Sequence, residues 1–458
     1  MEDKMQKITS LCKRRGFVFP SSEIYGGLAN VYDYGPLGVE LLKNIRELWW
    51  KNFVQTRENV VGIESAIFMH PKVWEASGHV AGFADPMVED LKTNNRYRAD
   101  HIIEDWCKLN KKEVPDTDNF KLADLDKFIS ENNIKSPSGN KFSPAKSFNL
   151  MFSTKLGSVE KDAENLYLRA ETAQGMYVDF KNVLDSTRQK VPFGIAQQGR
   201  VFRNEITKGK FLFRMLEFQQ MELQYFFDSK KWEEQFETWR GEIENWYFNV
   251  LGISKDKFKW KPHTKLIFYA KAAEDLQYKF SWGFDEVSGL HYRTDYDLNT
   301  HKKHSGTNLD YRDPYTGEVY TPHVLETTWG LDRNFFMVLD DAYTEEEGRA
   351  YLNLSAKLAP YKVAVFPLVS NKESITTKAK EVYNSLKLEI PTYWDDRGNI
   401  GKRYMYQDEI GTPFCVTIDY ETLEDDSVTV RDRDSMVQER VKIVELLSWI
   451  NQKIADYK

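Results

Sequence analysis

The stretch from Gly194 to Phe227 constrains this chain more than any other. It reads G-I-A-Q-Q-G-R-V-F-R-N-E-I-T-K-G-K-F-L-F-R-M-L-E-F-Q-Q-M-E-L-Q-Y-F-F. Two runs of strand-like alternation flank a loop at Thr207, Lys208, Gly209 and Lys210, which predicts an antiparallel hairpin. Side chains of equal parity share one face of a strand. Arg203 and Glu205 are therefore expected to point together, and so are Arg214, Phe218 and Glu222. That face offers two guanidiniums, an aromatic plate and two carboxylates. Guanidinium forks suit phosphate oxygens, Phe218 can stack on a flat base, and Glu222 suits an ammonium group. Together they describe a pocket for a nucleotide triphosphate beside an amino acid. An ordinary amphipathic hairpin would explain the alternation but not this choice of residue types.

The rest of the chain places that hairpin in a larger frame. At 458 residues there is room for several domains with cores of their own. Val39–Thr56 repeats apolar residues at three and four (Leu41, Leu42, Ile45, Leu48, Trp49, Phe53), one face of a helix launched by Gly35-Pro36. Val60–Met69 reads as a strand ending at Pro71. The polar stretch Asp100–Glu160, with short amphipathic pieces such as Leu122–Ile129, reads as an insertion. Leu166–Phe227 returns to strands, Trp232–Val250 is a helix, Leu266–Thr300 a strand pair, Val319–Trp329 a strand and Leu331–Asp341 a buried helix. Beyond a boundary near Asn353–Pro360, strands at Tyr361–Pro367, Thr392–Trp394, Phe414–Asp419 and Ser427–Arg431 alternate with helices at Ser374–Leu386 and from Met436, a small α/β domain. The expected architecture is an α+β domain on an antiparallel sheet flanked by helices, residues 1–355, followed by an α/β domain, residues 356–458.

Composition excludes several classes. No apolar run approaches a membrane span, and Met1–Phe19 lacks the apolar core of a secretory signal. Cys12, Cys107 and Cys415 are scattered, which argues against a disulfide framework or a cysteine-bound metal. A cytoplasmic setting is expected. The formal charge of −7 argues against a general nucleic-acid binder, so any RNA contact must come from local basic sites such as Lys208, Lys210, Lys402 and Arg403.

The hairpin resembles motif 2 of the class II aminoacyl-tRNA synthetases. Thr321–Leu339, T-P-H-V-L-E-T-T-W-G-L-D-R-N-F-F-M-V-L, resembles motif 3, and the helix and strand between about 39 and 71 resemble motif 1, which in that class builds a dimer interface. Val31-Tyr-Asp-Tyr-Gly-Pro-Leu-Gly38, Val73-Trp-Glu-Ala-Ser-Gly-His-Val80, Leu168-Arg-Ala-Glu-Thr-Ala-Gln-Gly175 and Ile400-Gly-Lys-Arg-Tyr to Gln407-Asp-Glu-Ile-Gly-Thr-Pro413 narrow the resemblance to the homodimeric glycyl-tRNA synthetases. It implies ATP and Mg²⁺ use, glycine and tRNA(Gly) as partners, and an anticodon-binding C-terminal domain.

Residue by residue, the resemblance implies catalytic roles for Arg203 and Arg333, on the α- and γ-phosphates. Glycine would meet Arg98, Glu171, the run Phe218, Gln219, Gln220, Met221 and Glu222, and the run Glu326, Thr327, Thr328, Trp329 and Gly330. ATP would meet Arg203, Asn204, Glu205, Phe213, Arg214, Met215, Leu216, Glu217, Phe218, Glu286, Val287, Gly330, Leu331, Asp332 and Arg333, with Glu286 as the candidate Mg²⁺ ligand. Two positions depart from the family pattern. Thr327-Thr328 stand where Pro-Ser is usual, and Leu216 replaces an arginine. RNA contacts are expected at Lys402, Arg403, Arg431 and Arg433. The alternative is a synthetase-like accessory protein that binds nucleic acid without catalysis; such a protein should lose the motif arginines.

Overall fold

Pro36 has a fixed φ and no N–H to leave unsatisfied, so it suits the first position of a helix. The helix runs Pro36–Trp50 and buries Leu37, Leu41, Leu42, Ile45 and Trp49 on one face. A wider turn, Lys51–Gln55, continues it and buries Phe53 and Val54. The structure, a computed structural model, is described for residues 3–157, 164–205, 210–264, 266, 270–346 and 348–456. Lys208 and the end of the expected insertion, Ser158–Glu160, lie outside the described residues.

Seven strands form the main sheet, in the order Phe258–Pro262, Ala272–Phe280, Gly283–Thr294, His323–Gly330, Glu217–Phe227, Phe193–Phe202 and Val60–Gly62. Neighbours run antiparallel except the last pair, which is parallel. Alternation divides the sheet cleanly. Met221, Leu223, Tyr225, Leu290, Leu325 and Trp329 enter the main core. Gln220, Glu222, His291, Glu326 and Thr328 face a cleft on the other side. The core side is closed by the helices Pro36–Trp50, Trp232–Asn245 and Leu331–Ala342. Phe53 sits at its centre, with ring centroids 4.6 Å from Trp329, 5.4 Å from Trp49 and 5.8 Å from Trp246.

Several expected elements are redrawn. The strand after the first helix spans only Val60–Gly62, and Phe68 adds a single bridge to Leu168. Short helices at Ala173–Val178 and Phe180–Thr187 interrupt the region read as strands. Pro322 breaks Val319–Trp329 into Val319–Tyr320 and His323–Gly330. The pair expected at Leu266–Thr300 is Ala272–Phe280 with Gly283–Thr294, followed by a helix Tyr296–Ser305 too polar to show an apolar period. The polar stretch read as an insertion has a small core of its own, including Val88, Ile103, Cys107, Leu125 and Ile129. Its sheet recruits Ala84–Glu89, ahead of residue 100.

The C-terminal sheet has the order Thr392–Trp394, Val363–Pro367, Phe414–Ile418, Ser427–Asp432 and Gln438–Lys442. Its first three strands are parallel and the last two antiparallel. The last helix starts at Ile443, not at Met436, because Gln438–Lys442 is an edge strand. Only Val441 of that strand is buried, so its sequence carries little strand signal. No described helix is long and apolar enough to cross a membrane.

Phe53 tests the main core. Truncation to alanine leaves a cavity among three tryptophans and should cost about 3–5 kcal/mol. Urea unfolding of Phe53→Ala measures this; a loss below about 1 kcal/mol would contradict the packing.

Candidate active site

The strand Phe193–Phe202 ends before Arg203, and the strand Glu217–Phe227 begins after Arg214. Arg203, Glu205 and Arg214 therefore lie in the loop ends, not on the ladder, a correction to the parity argument. They nevertheless line one cleft with Phe218, Glu222, Glu286 and Arg333. Arg203 is fixed on three sides. Its Nε donates to the Ala170 carbonyl at 3.0 Å, and its guanidinium lies over Phe83 and Phe218, 5.2 and 5.3 Å from the ring centroids. Arg214 pairs with Glu205 at 3.3 Å and Arg333 with Glu286 at 3.0 Å. Arg333 also donates to the Phe213 carbonyl and lies over that ring. The mouth is thus a band of guanidiniums, each with a carboxylate or carbonyl that an incoming phosphate can replace.

The floor is acidic. Glu171, Glu222 and Glu326 converge there. Glu326 accepts from His291 Nδ1 at 2.8 Å and from Gln224 and Arg293 at 3.1 Å each. Burial opposes its charge, but Arg293 and His291 outweigh burial and hold its carboxyl below the ordinary range. Glu171 accepts from Gln174 at 2.8 Å and faces His79 at 3.4 Å. His79 and Arg293 likewise hold it low against burial. Among the described residues Glu222 forms no ion pair and accepts from the Thr172 hydroxyl. Burial, then its two acidic neighbours, pushes its carboxyl up to about 8. One protonatable acid beside two fixed carboxylates makes a receptor for a single cation of ammonium size.

Strand alternation sorts the expected contacts. Phe218, Gln220, Glu222, Glu326, Thr328 and Gly330 face the cleft with Phe213, Met215 and Asp332. Met221, Trp329, Val287 and Leu331 instead belong to the core. Thr327 is buried against the Leu223 carbonyl, Glu217 pairs outward with Arg200, and Gln219 contributes its backbone N–H to Asp332. Asn204 and Leu216 are absent from the lining. Leu216 instead bridges Asn30 and Arg203 through its backbone. Arg98 sits on the inserted sheet in ion pairs with Asp85 and Asp100, outside the lining. Asp332 lines the cleft, but both its oxygens are taken, by Tyr34 and the Gln219 N–H.

Sequence reasoning missed the supports. His291 and Arg293 lie two apart on one strand, a spacing that puts both cations on the Glu326 side. His79, Thr172, Gln174 and Tyr34 sit inside the quoted strings but carried no assigned role. Gly289 also matters. A Cβ there would lie 2.8 Å from His291 Cε1 and 3.1 Å from Thr328 Cγ2, so glycine leaves room for both.

Three of the four expected RNA contacts in the C-terminal domain are structural. Arg403 donates to the carbonyls of Arg397, Pro367 and Gly398. Arg431 grips Asp408 with two bonds, at 2.9 and 3.0 Å. Arg433 donates to the Gly411 carbonyl and to Asn353 across the domain boundary. All three are buried, and Lys402 of the four is exposed.

Comparison with known proteins agrees with this geometry. The family described as "tRNA synthetase class II core domain (G, H, P, S and T)" matches residues 154–342, and "Anticodon binding domain" matches 362–453. A prolyl-tRNA synthetase structure from Cryptosporidium parvum, complexed with L-proline and AMP, aligns at a TM-score of 0.65 with 16% identity, over 100% of this chain and 77% of that one. Fold and site together define a class II aminoacyl-tRNA synthetase. A glycine–tRNA ligase of Borreliella burgdorferi is 49% identical, over 99% of this chain and 98% of its own. That of Chlorobaculum tepidum is 46% identical, over 98% and 100%. The chain belongs to the glycine–tRNA ligase family.

Asp408 checks the corrected arginines. Asp408→Asn strips the buried charge from Arg431 and Arg349 and should destabilise the chain by about 3–5 kcal/mol. Lys402→Ala should leave stability within about 0.5 kcal/mol. Thermal melts compare them; equal stabilities would contradict the structural assignment.

Proposed function

We propose that this chain activates glycine with ATP and transfers it to tRNA(Gly). The observation that carries this reading is the acidic floor of Glu171, Glu222 and Glu326 beneath a mouth of Arg203, Arg214 and Arg333. The glycine ammonium enters the floor and its carboxylate points back toward Arg203. A carboxylate oxygen attacks the ATP α-phosphorus in line, and the bond to pyrophosphate breaks. A ribose hydroxyl of the terminal adenosine of the tRNA then attacks the acyl carbon, and AMP leaves. Arg203 meets the α-phosphate and Arg333 the γ-phosphate, while Phe218 offers its ring to adenine. This is catalysis by positioning and charge stabilisation, without a side-chain nucleophile.

Magnesium fits the hard oxygen donors Glu286 and Glu205 on the triphosphate side, where it would neutralise phosphate charge. Selectivity is exclusion: the floor is walled by bonded carboxylates, and Thr328 Cγ2 stands 3.1 Å from where a Cβ at Gly289 would lie, a wall against a side chain on the substrate. The C-terminal domain takes the anticodon arm. A homodimer joined along the outer face of Pro36–Trp50, where Val39 is exposed, follows the motif 1 reading. The motif arginines in the cleft oppose a non-catalytic accessory role.

Amino-acid-dependent ATP–pyrophosphate exchange tests the reading. Glycine should support exchange, and Arg203→Gln should lower it by about 10²–10³-fold. No exchange with any amino acid would overturn the enzyme; exchange with alanine or serine but not glycine would overturn the specificity. The Glu222 carboxyl adds a pH signature. Below about 8 it carries a proton in the free protein, and an ammonium ion favours its charged form, so glycine binding releases a proton. Apparent glycine affinity should therefore rise as pH approaches about 8, by at most about tenfold per unit. Glu222→Gln should flatten that rise; an unchanged slope in the variant would contradict the role.

A further inference from the structure

Beside Glu326, three metal-ligating side chains converge, and two of them, His263 and Asp275, have no task in aminoacylation. His263 follows the edge strand Phe258–Pro262, Asp275 lies on the next strand, and His291 on the one after. His263 Nε2 is 2.9 Å from Asp275 Oδ2, and His291 Nε2 is 3.7 Å from Asp275 Oδ1. One ligand atom from each residue lies within 4.8 Å of the other two. Ligands about 2.0–2.1 Å from a tetrahedral ion sit about 3.3 Å apart. The two imidazoles stand 2.9 and 3.7 Å from the two oxygens of one carboxylate, near that value, so side-chain rotation can bring one atom of each residue onto a single ion.

Further observations point to a ligand. His291 Nε2 is sealed from solvent and makes no hydrogen bond to the described residues, with Asp275 Oδ1 standing 3.7 Å away. Its other ring nitrogen bonds a carboxylate, Glu326, at 2.8 Å. That carboxylate–histidine arrangement is the outer shell that fixes the tautomer of a metal-bound imidazole. Gly289 keeps the ring in place, since a Cβ there would meet Nε2 at 3.0 Å. His263 is partly open to solvent, with a third of its side chain exposed, and provides a route in.

We propose that this chain binds one divalent transition-metal ion of the zinc class through His263, Asp275 and His291, with water completing the coordination. Two imidazoles and a carboxylate suit such an ion. With the ion on Nε2, the His291 Nδ1–H donates to Glu326, so the metal holds one wall of the ammonium pocket in orientation.

The experiment uses the full chain, tag removed and chelator-treated, titrated with Co²⁺ and Zn²⁺. One equivalent should bind per chain, and Co²⁺ should give the visible absorption of a low-coordinate nitrogen–oxygen site, displaced by Zn²⁺. His263→Ala and Asp275→Asn should each weaken binding at least about tenfold. His263 lies outside the cleft lining and meets it only through the His291 ring, 5.6 Å between centroids, so circular dichroism and thermal melting, rather than exchange, report that His263→Ala is folded. Absence of stoichiometric binding, or undiminished binding in both variants, would overturn the proposal. Loss of exchange with metal binding intact would count against the aminoacylation reading alone.

Discussion

The acidic floor depends on Arg293. Its guanidinium is buried and holds Asp297 through two bonds, at 2.8 and 3.0 Å, and Glu326 through a third. Three carboxyl groups cannot share a buried space with full charge unless cations answer them. Arg293 and His291 answer Glu326, and Glu171 accepts from Gln174 and lies 3.4 Å from His79. Glu222 is left over and resolves the excess by taking a proton. The pocket is therefore one positive charge short, and under the proposed function an amino acid's ammonium supplies that charge.

The same sheet makes the core and the chemistry possible. Each strand that sends Glu222, His291 or Glu326 toward the cleft sends Leu223, Leu290 or Leu325 into the core. Trp329 and Thr328 are sequence neighbours with opposite tasks for the same reason. Behind the site lies the aromatic cluster around Phe53, so the helix Pro36–Trp50 and its continuation back the cleft without joining its lining. Tyr34 and Asp332 tie the remaining join, linking the first segment of the chain to the helix that carries Arg333.

Much of this was legible because alternation and residue type agree. The hairpin, the motif 3 helix and the two-domain order follow from strong local patterns. Parity brings these residues to one cleft for a partly wrong reason: Arg203 and Arg214 converge through loop ends held by the Ala170 carbonyl and by Glu205. Contiguous runs such as Phe218–Glu222 overstate the contacts, because alternate members turn into the core. Arg403, Arg431 and Arg433 look like an RNA surface in sequence, since nothing local reveals the carbonyls and the carboxylate, 23 residues away for Arg431, that consume them. Edge strands and polar helices, Gln438–Lys442 and Tyr296–Ser305, carry too few buried residues to declare themselves.

The most direct test of the central claim is a crystal structure with a non-hydrolysable glycyl-adenylate analogue. The account predicts the ammonium group within hydrogen-bond distance of Glu171, Glu222 and Glu326, with Arg203 on the phosphate. An ammonium group turned away from all three carboxyl groups would contradict it.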